Sequence, residues 1–249
     1  MAAGQETIII VRALADNSEL REAVRLQKVI WGFSDLDLLP FRMFVVAAKV
    51  GGQVLGAFDG PRMAGFCIAI PGLKPGGKYY LHSHMMGVIE EYRNRGIARM
   101  LKLAQRAEAL ERGLELIEWT FDPLEIKNSH FNMARLGAVA RRFVANQYGA
   151  SSSPLHGGLP TDRLVAEWWI ASPRVRGLLD AGRAPDPRVD ARIEVPIQIG
   201  DLKTADHDKA RQIQTRIREE FEYWLGRGLA VVGYETTPQA GVFLLGREQ

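Results

Sequence analysis

YLHSHMMGVIEEYRNRGIARML, residues 80–101, is a stretch in which a strand, a tight turn and a helix start follow one another. Its first half is apolar and aromatic with interleaved histidines, which predicts a strand over residues 79–89. From Gly96 towards Glu111, apolar residues recur at helical spacing, and these are Ile97, Met100, Leu101, Ala104 and Ala107. The stretch therefore predicts a strand and a helix joined by the loop 93–98.

The loop has the features of an anion-binding site. Gly96 removes the Cβ where the backbone has to approach a ligand closely. The free N–H groups of Gly96, Ile97 and Ala98 would open the helix, and a helix N-terminus favours phosphate through its unpaired donors and its macrodipole. Positive charge is added by three arginines, which are Arg93, Arg95 and Arg99.

The pattern Arg93-x-x-Gly96-x-Ala98 resembles the (Gln/Arg)-x-x-Gly-x-(Gly/Ala) signature of the GNAT superfamily of acyl-CoA-dependent N-acyltransferases. The context is also similar: an apolar strand ending at Val88, two acidic residues, an aromatic, the loop and a long helix. Neighbouring elements of the family can be traced from about residue 6 to about residue 171. The resemblance implies an α/β (α+β) fold with a mixed central sheet flanked by helices. It also implies acetyl-CoA, or another acyl-CoA such as succinyl-CoA, as the donor.

In that family, two neighbouring parallel strands splay apart and pantetheine enters the gap. Here those strands would be residues 79–89 and 114–121, with the Val88 N–H binding the thioester carbonyl. Two asparagines resemble the family asparagine that touches the cofactor, although Asn128 could equally be a helix N-cap. The resemblance thus implies a cofactor-binding set of Met86, Val88, Arg93, Asn94, Arg95, Gly96, Ile97, Ala98, Arg99, Asn128 and Asn132.

Two histidines on the predicted strand are candidates for the catalytic base. His82 and His84 lie two apart, so both side chains point to one face of the sheet. The serotonin N-acetyltransferases of the superfamily have a similar His-x-His, which is implicated in deprotonating the amine. Histidine titrates near neutral pH. Glu118 is a competing base, and the alternative for the histidines is a structural, hydrogen-bonded pair. His82, His84 and Glu118 alone, with no other clear ligand, are weak evidence for a metal site, so no metal is expected.

The general acid departs from the family pattern. The family often has a tyrosine four residues before the glycine that follows the short helix, and Met133 stands there. Methionine cannot donate a proton to the departing thiolate. Tyr148, His130 or water could substitute.

Residues that bind the acceptor substrate are expected at strand ends and in the loop 149–162. Arg163 could pair with a carboxylate, and Asp162 or Asp122 could take an ammonium, as would suit an amino acid. The alternative is that these residues cap loops or form surface pairs.

Composition sets the remaining bounds. The 249-residue chain has a net charge of +3 and a single cysteine, Cys67, which excludes a disulfide framework. We expect no secretory signal, no membrane span, a cytoplasmic location and no nucleic-acid binding, because the positive charge forms no concentrated stripe.

The chain is predicted to have two parts, a GNAT-like domain over residues 1–171 and a C-terminal β-α-β-β extension over residues 172–249. The extension has a long amphipathic helix at 206–225, so it should pack on the main domain or on a second subunit, which makes a homodimer an expectation. The other expected elements are strands at 7–14, 53–58, 63–70, 139–148 and 163–171, a helix that follows an N-cap at 16–18 and runs to about residue 31, helices at 41–49 and 128–135, and a loop at 71–77.

The sequence therefore predicts an acyl-CoA-dependent N-acyltransferase. It would move an acyl group, expected to be acetyl, onto the amine of a small molecule by direct transfer in a ternary complex. The alternative is a non-catalytic acyl-CoA-binding regulatory module.

Overall fold

The computed structural model describes residues 8–149, 157–183 and 186–247. The chain divides into two compact units between Glu115 and Leu116. Both units combine strands with helices, so the predicted α/β class is confirmed. The predicted domain boundary after residue 171 stays a prediction, and residues 150–156 of the predicted acceptor loop lie outside the described residues.

The first unit has an antiparallel sheet with the strand order β1-β2-β3-β4. The hairpin between β2 and β3 turns at Gly60, whose φ of +53° is in the left-handed region. Its described elements are β1 (Ile9–Ala13), α1 (Asn17–Trp31), α2 (Phe41–Lys49), β2 (Gln53–Asp59), β3 (Arg62–Leu73), β4 (Tyr79–Val88), a 3-10 turn (Glu90–Tyr92) and α3 (Ile97–Glu111).

Local signals explain where the first helix begins and ends. Asp16 accepts hydrogen bonds from the backbone N–H groups of Ser18 and Glu19, as expected of an N-cap. Gly32 ends the helix in the left-handed conformation with φ of +65°. Buried side chains from α1, α2, α3 and the strands form one core, which includes Leu26, Phe44, Phe66, Ile97 and Leu101.

Strand β3 is longer than the sequence predicts. A loop was expected from Pro71, but Pro71 pairs with Leu81 and the strand continues to Leu73. Strand β2 reaches only as far as the pair Gln53–Ala69, so this last part of β3 has β4 on one side alone among the described pairings. A proline is tolerated there because its missing N–H is not needed by a second neighbour.

The second unit has a sheet with the strand order β5-β7-β6-β9-β10-β8. Strand β9 joins β6 through the pair Ala140–Val231. Its described elements are β5 (Leu116–Phe121), α4 (Ile126–His130), a π-helical turn (Phe131–Arg135), β6 (Val139–Val144), β7 (Arg163–Trp169), α5 (Pro173–Ala181), β8 (Ala191–Pro196), α6 (Ile199–Ala205), α7 (His207–Leu225), β9 (Ala230–Thr236) and β10 (Ala240–Gly246).

The C-terminal elements include two helices that the sequence analysis missed. The predicted long helix and the two strands after it are observed as α7, β9 and β10. The sequence analysis predicts no helix over residues 173–181 or 199–205, where the structure has α5 and α6. Pro173 occupies the first turn of α5, where its missing N–H is tolerated, and Ser172 caps the helix.

Helix α4 begins earlier than predicted, and Asn128 is not its N-cap. The N-cap position is Glu125, and the backbone becomes helical from Ile126. Asn128 therefore lies inside the helix, and the capping alternative for it is wrong.

No helix in the described ranges combines the length and the apolar character that crossing a bilayer needs. The same residues hold no cluster of three or more potential metal-binding His, Cys, Asp or Glu side chains.

A buried lysine is the most unusual feature of the first unit. Lys102, on the sheet-facing side of α3, donates hydrogen bonds to the Ser83 hydroxyl at 2.8 Å and to the Gln105 amide oxygen at 3.1 Å. It is 2% exposed. Burial lowers the pKa of Lys102 to about 7, with the nearby Cys67 acting weakly in the opposite direction.

This pKa predicts a pH-dependent stability. An unfolded lysine titrates near ~10.4, so between pH 7 and 10 the unfolded chain binds more protons here than the folded one, and stability rises with pH. Below about pH 7 the cost of burying the charge is complete. We expect the wild type to gain on the order of 3 kcal/mol relative to Lys102→Met between pH 7 and 10.

Chemical denaturation at the two pH values measures this difference. Lys49→Met, at an exposed position at the end of α2, is the control and should show little pH dependence. A difference between wild type and Lys102→Met that is the same at both pH values would contradict the prediction.

Candidate active site

The loop 93–98, between β4 and α3, directly follows Tyr92, whose aromatic ring is held by several contacts. The Tyr92 hydroxyl donates to the Asp59 carboxylate at 2.5 Å. The guanidinium carbons of Arg62 and Arg95 lie 5.4 and 5.0 Å from the centre of the Tyr92 ring. Two cations on one ring and a hydrogen bond to β2 hold the point from which the loop 93–98 leaves.

Gly96 forms the N-cap of α3, so the helix begins at Ile97, one residue later than the sequence analysis predicts. The φ of Gly96 is +78°, and as a glycine it provides no side-chain cap for the first turn of the helix. A Cβ built on Gly96 would meet no atom of the described chain within 4 Å. The amides of Ile97, Ala98 and Arg99 thus begin the helix without a side-chain cap and beside open space, which is the arrangement that binds an anion.

The polar side chains of the loop are placed for an anion as well. Arg93, Asn94 and Arg95 are exposed, and Arg99 is partly buried. Asn94 adopts φ of +62°, so the loop contains two left-handed residues two positions apart. The Arg93 Nε donates to the Val88 carbonyl oxygen at 3.3 Å, which ties the loop back to the end of β4.

The backbone of Val88 points away from β3. Ile89 donates its N–H to the Ala64 oxygen at 3.0 Å, so the Ile89 amide faces β3. Because successive amides of a strand point to opposite edges, the Val88 N–H lies on the other edge of β4. The side chains of Val88 and Met86 are partly buried against the core of the first unit. The Val88 amide is therefore directed to the edge where the sequence analysis places the thioester.

His82 and His84 lie side by side, with ring centres 6.0 Å apart. The pairing of β3 with β4 passes from Ile68–Met85 to Ala69–Ser83, so His84 is the extra residue of a β-bulge. Bulges of this kind re-aim a side chain and are frequent beside active sites. His84 is exposed on one side, and the protein around the rest of its ring lowers its pKa by desolvation. The neutral imidazole therefore predominates at pH 7.

In the second unit, Glu118 belongs to an ion-pair cluster whose carboxylates are buried and whose arginines are partly exposed. Glu118 and Glu167 stand opposite each other on β5 and β7. Arg142 reaches both, with distances of 2.6 Å to Glu118 and 3.7 Å to Glu167. Arg141, the extra residue of a bulge in β6, also pairs with Glu167. The negative charges of Glu118 and Glu167 are close together and need both Arg141 and Arg142 to neutralise them. Glu118 is therefore held as part of a structural cluster.

The short helix presents the two predicted asparagines differently. Asn128 is exposed, whereas Asn132 is 3% exposed. The Asn132 Nδ2 has no hydrogen-bond partner within the described ranges. Met133 is 1% exposed, so the side chain that stands where the family often has a tyrosine is part of the core.

Tyr148 and Arg163 adjoin the end of β5. The Tyr148 hydroxyl and the Thr120 hydroxyl are 2.8 Å apart. The Arg163 guanidinium carbon lies 5.4 Å from the centre of the Tyr148 ring, and its Nη1 donates to the Asp162 carbonyl oxygen at 2.8 Å. Tyr148 keeps about half of its surface exposed, at 49%.

Asp162 is buried in an ion pair with the C-terminal helix. Arg218 on α7 donates from Nε at 3.0 Å and from Nη2 at 2.9 Å to the two carboxylate oxygens. The Asn146 amide adds a third donor at 2.9 Å. With the Asp162 side chain 2% exposed, the carboxylate fixes the loop and is not presented to an acceptor.

Asp122 has a similar structural partner. Lys203 on α6 lies 3.4 Å from Asp122 and 2.7 Å from Glu125. Burial disfavours the charged amine, but the two carboxylates outweigh it and raise the pKa of Lys203. Asp122 also accepts from the Leu124 amide at 2.8 Å. Both carboxylates that the sequence analysis offered to an ammonium are thus held by cations of the C-terminal segment.

Three structural residues were missed by sequence reasoning. Arg142 and Arg218 each neutralise a buried carboxylate and Lys203 a largely buried one, and each partner is 24 or more positions away. No local pattern identifies such pairs. A cation next to the apolar stripe of α7, as Arg218 is next to Ile217, is the only available signal.

We expect Arg218→Met to destabilise the protein by about 3 kcal/mol, because it leaves the Asp162 carboxylate buried with only an amide donor. Arg192→Met is the matched control, since its pair with Glu235, which joins β8 to β9 across β10, is half exposed and should contribute less than about 1 kcal/mol. Urea denaturation of the two variants measures both values. Equal losses in the two variants would show that the buried pair is not an anchor.

Comparison with known proteins places these features in a family. Residues 17–136 match the sequence model of the Acetyltransferase (GNAT) family. None of the curated protein sequences compared is a significant match.

Solved structures show the same fold. Arabidopsis thaliana NAA60 in complex with acetyl-CoA is 16% identical and has a TM-score of 0.53, over 65% of this chain and 99% of that one. The ribosomal-protein-S18-alanine N-acetyltransferase from Escherichia coli is 14% identical with a TM-score of 0.52, over 66% and 96%. An acetyltransferase of the GNAT family from Streptococcus pneumoniae is 17% identical with a TM-score of 0.51, over 64% and 98%.

The match includes β4, the Gly96 loop, α3 and the short helix α4. This segment, just under half of the chain, is therefore similar to GNAT-family acetyltransferases, and the similarity supports the enzyme class of acyl-CoA-dependent N-acyltransferases.

Proposed function

We propose that this protein transfers an acetyl group from acetyl-CoA to the amine of a small molecule by direct transfer in a ternary complex. The observation that supports it most is the uncapped start of α3 at Gly96, in the first unit. A phosphate-bearing donor needs such a group of backbone N–H donors.

The residues present fit the phosphate groups of the donor. The open space beside Gly96 leaves room for an oxygen to approach the amides of Ile97 and Ala98. Arg95 and Arg99 would add guanidinium donors to the same oxygens. Acetyl-CoA supplies an acyl group activated as a thioester. Acetyl-CoA is supported by the family and by the NAA60 structure that contains it, while succinyl-CoA remains the alternative for a loop rich in arginine.

Val88 would hold the acyl oxygen. Its N–H lies on the edge of β4 that is turned away from β3, and a backbone donor there stabilises the negative charge that develops on the oxygen. The hydrogen bond from Arg93 to the Val88 oxygen fixes the orientation of this residue.

His84 is the preferred base. An ammonium has no lone pair, so the acceptor must lose a proton before it attacks. The bulge exposes His84, and its lowered pKa keeps the imidazole neutral and ready to accept that proton at pH 7. His82, with its ring 6.0 Å away, is the second candidate and could act through a water. Glu118 is less suited because Arg142 pairs with it.

The proton for the leaving thiolate does not come from the usual tyrosine position, since Met133 is buried there. Tyr148 is the candidate among the predicted residues because its phenol is half exposed and hydrogen-bonded to Thr120. Water is the alternative, and a thiolate can also leave without strong acid help.

The acceptor proposal changes with the structure. Asp122 and Asp162 are held by Lys203 and Arg218, so neither supports recognition of an amino acid through its ammonium. We retain a small amine as the acceptor without that contact. A homodimer and a cytoplasmic location stay predictions.

A non-catalytic acyl-CoA-binding module is the competing function, favoured by the buried Met133. Release of coenzyme A thiol, measured with a panel of amines, separates the two. Turnover that depends on an amine supports the enzyme, and binding of acetyl-CoA with no amine-dependent thiol release supports the module.

We expect Gly96→Val to reduce acetyl-CoA affinity by at least about tenfold, because the side chain fills the space that the phosphates need. Gly113→Val is the matched control: Gly113 has φ of +71° and equally open surroundings, just beyond the other end of α3. Both variants strain the backbone, but only the first blocks the loop. Calorimetry that gives wild-type affinity for Gly96→Val, or equal losses in both variants, would contradict the loop assignment.

We expect His84→Gln to lower kcat/KM for the amine by about 10²-fold or more while acetyl-CoA affinity is retained, as for loss of a general base. The wild-type rate should fall as the pH drops through an apparent pKa below ~6.5, the usual value for histidine. His82→Gln is measured in parallel. If both variants keep wild-type turnover of an amine that the wild type acetylates, the histidines have a structural role. Glu118→Gln is then the next variant to measure.

A further inference from the structure

A basic cavity lies within the second unit, and none of its described lining residues is used by the proposed reaction. Its volume is about 440 Å³, and its described lining consists of Arg188, Asp190, Trp224, Arg227, Leu229 and Arg247. This volume falls within the range of about 300–1,000 Å³ that is usual for small-molecule sites.

The walls of the cavity are formed where three C-terminal elements begin or end. Arg188 and Asp190 precede β8, Trp224 lies in the last turn of α7, and Arg247 follows β10. The backbone frame is tight, because Asp190 donates its N–H to the Leu245 oxygen at 2.8 Å. A Cβ added to Gly246 would lie 2.0 Å from the Arg188 oxygen, so only glycine permits this approach. The cavity is thus set by backbone packing.

The described lining has three arginines and a single carboxylate, so it has an excess of positive charge. Arg188 forms an ion pair with Asp190 at 3.2 Å. Arg227 and Arg247 are the two other cations of the described lining. Neither of these two makes an ion pair with any residue in the described ranges. The Arg227 guanidinium carbon stays 3.4 Å from the centre of the Tyr223 ring, and its Nη1 donates to the Tyr223 oxygen at 3.1 Å. Arg227 is therefore held in place while part of its donor fork remains available.

An aromatic wall stands beside these charges. Trp224 is partly buried and contacts the Tyr223 ring at a centre-to-centre distance of 4.8 Å, nearly perpendicular. The buried Leu229 adds an apolar surface. Tryptophan offers a flat face on which a planar ring stacks, and such stacking contributes on the order of 1–3 kcal/mol for a nucleobase.

We propose that this cavity binds a nucleoside monophosphate, with the phosphate between Arg227 and Arg247 and the base against Trp224. Two guanidiniums match the charge of a phosphate monoester, which carries about −1.5 to −2 at pH 7. The Asp190 carboxylate is the acceptor for a sugar hydroxyl or a base N–H. The site would be a second ligand site of the protein and does not depend on the proposed reaction.

Titration of the full-length protein with AMP, followed by tryptophan fluorescence and by calorimetry, tests the proposal. Coenzyme A is present throughout, so that the loop at Gly96 is occupied where that assignment holds. Inorganic phosphate probes the anion alone, and adenosine probes the ring alone. We expect AMP to bind at least about tenfold more tightly than either and to change the fluorescence of Trp224.

Variants locate the binding. Arg227→Gln combined with Arg247→Gln should lower AMP affinity by at least about tenfold, and Trp224→Phe should remove the fluorescence change while leaving the calorimetric signal weakened but present. Arg211→Gln, at an exposed position of the same helix α7, is the matched control and should bind AMP as the wild type does. Circular dichroism confirms that the variants fold.

Three results would overturn the proposal: no binding of AMP up to millimolar concentration, equal affinity for AMP and inorganic phosphate, or unchanged AMP affinity in the double arginine variant. Loss of AMP binding in Gly96→Val with retention in the double variant would assign the nucleotide to the loop in the first unit instead.

Discussion

The start of α3 is the constraint on which the account of this protein depends. A helix exposes unpaired N–H groups at its first turn, and most helices satisfy some of them with a side-chain cap. Here the N-cap is Gly96, which has no side chain to offer and adopts a left-handed conformation. Tyr92 and Arg93 hold the residues before it through Asp59 and the Val88 oxygen. The chain thus fixes these donors in position and leaves their pairing to a ligand.

The C-terminal segment contributes more than additional strands to the second unit. Two of its cations are largely buried in ion pairs, Lys203 with Asp122 and Arg218 with Asp162. Gln214 adds a hydrogen bond to the Pro160 oxygen at 2.7 Å. These contacts fix the chain just after β5 and just before β7. Buried pairs of this kind cost more when one partner is lost than they contribute when whole, which makes the segment necessary to the geometry of these loops.

The sequence predicts what is local and misses what is distant in the chain. The strand, the Gly96 turn and α3 follow from spacing and from glycine, and the cap at Asp16 follows from its side chain. The bulge that exposes His84 could not be predicted, because it depends on a register shift against β3. The fates of Asp122, Asp162 and Glu118 depend on Lys203, Arg218 and Arg142, which are 24 to 81 positions away. Helices α5 and α6 were missed because proline is a weak signal for a helix, although Pro173 is at a helix start.

Backbone amide NMR shifts on addition of acetyl-CoA test the central claim most directly, because they report on the donors themselves. The account predicts that the amide signals of Ile97, Ala98 and Arg99 shift downfield as they pair with phosphate oxygens, and that the Val88 amide shifts with the acylated cofactor more than with coenzyme A. Saturation with acetyl-CoA that leaves the signals at the start of α3 unchanged would contradict the account.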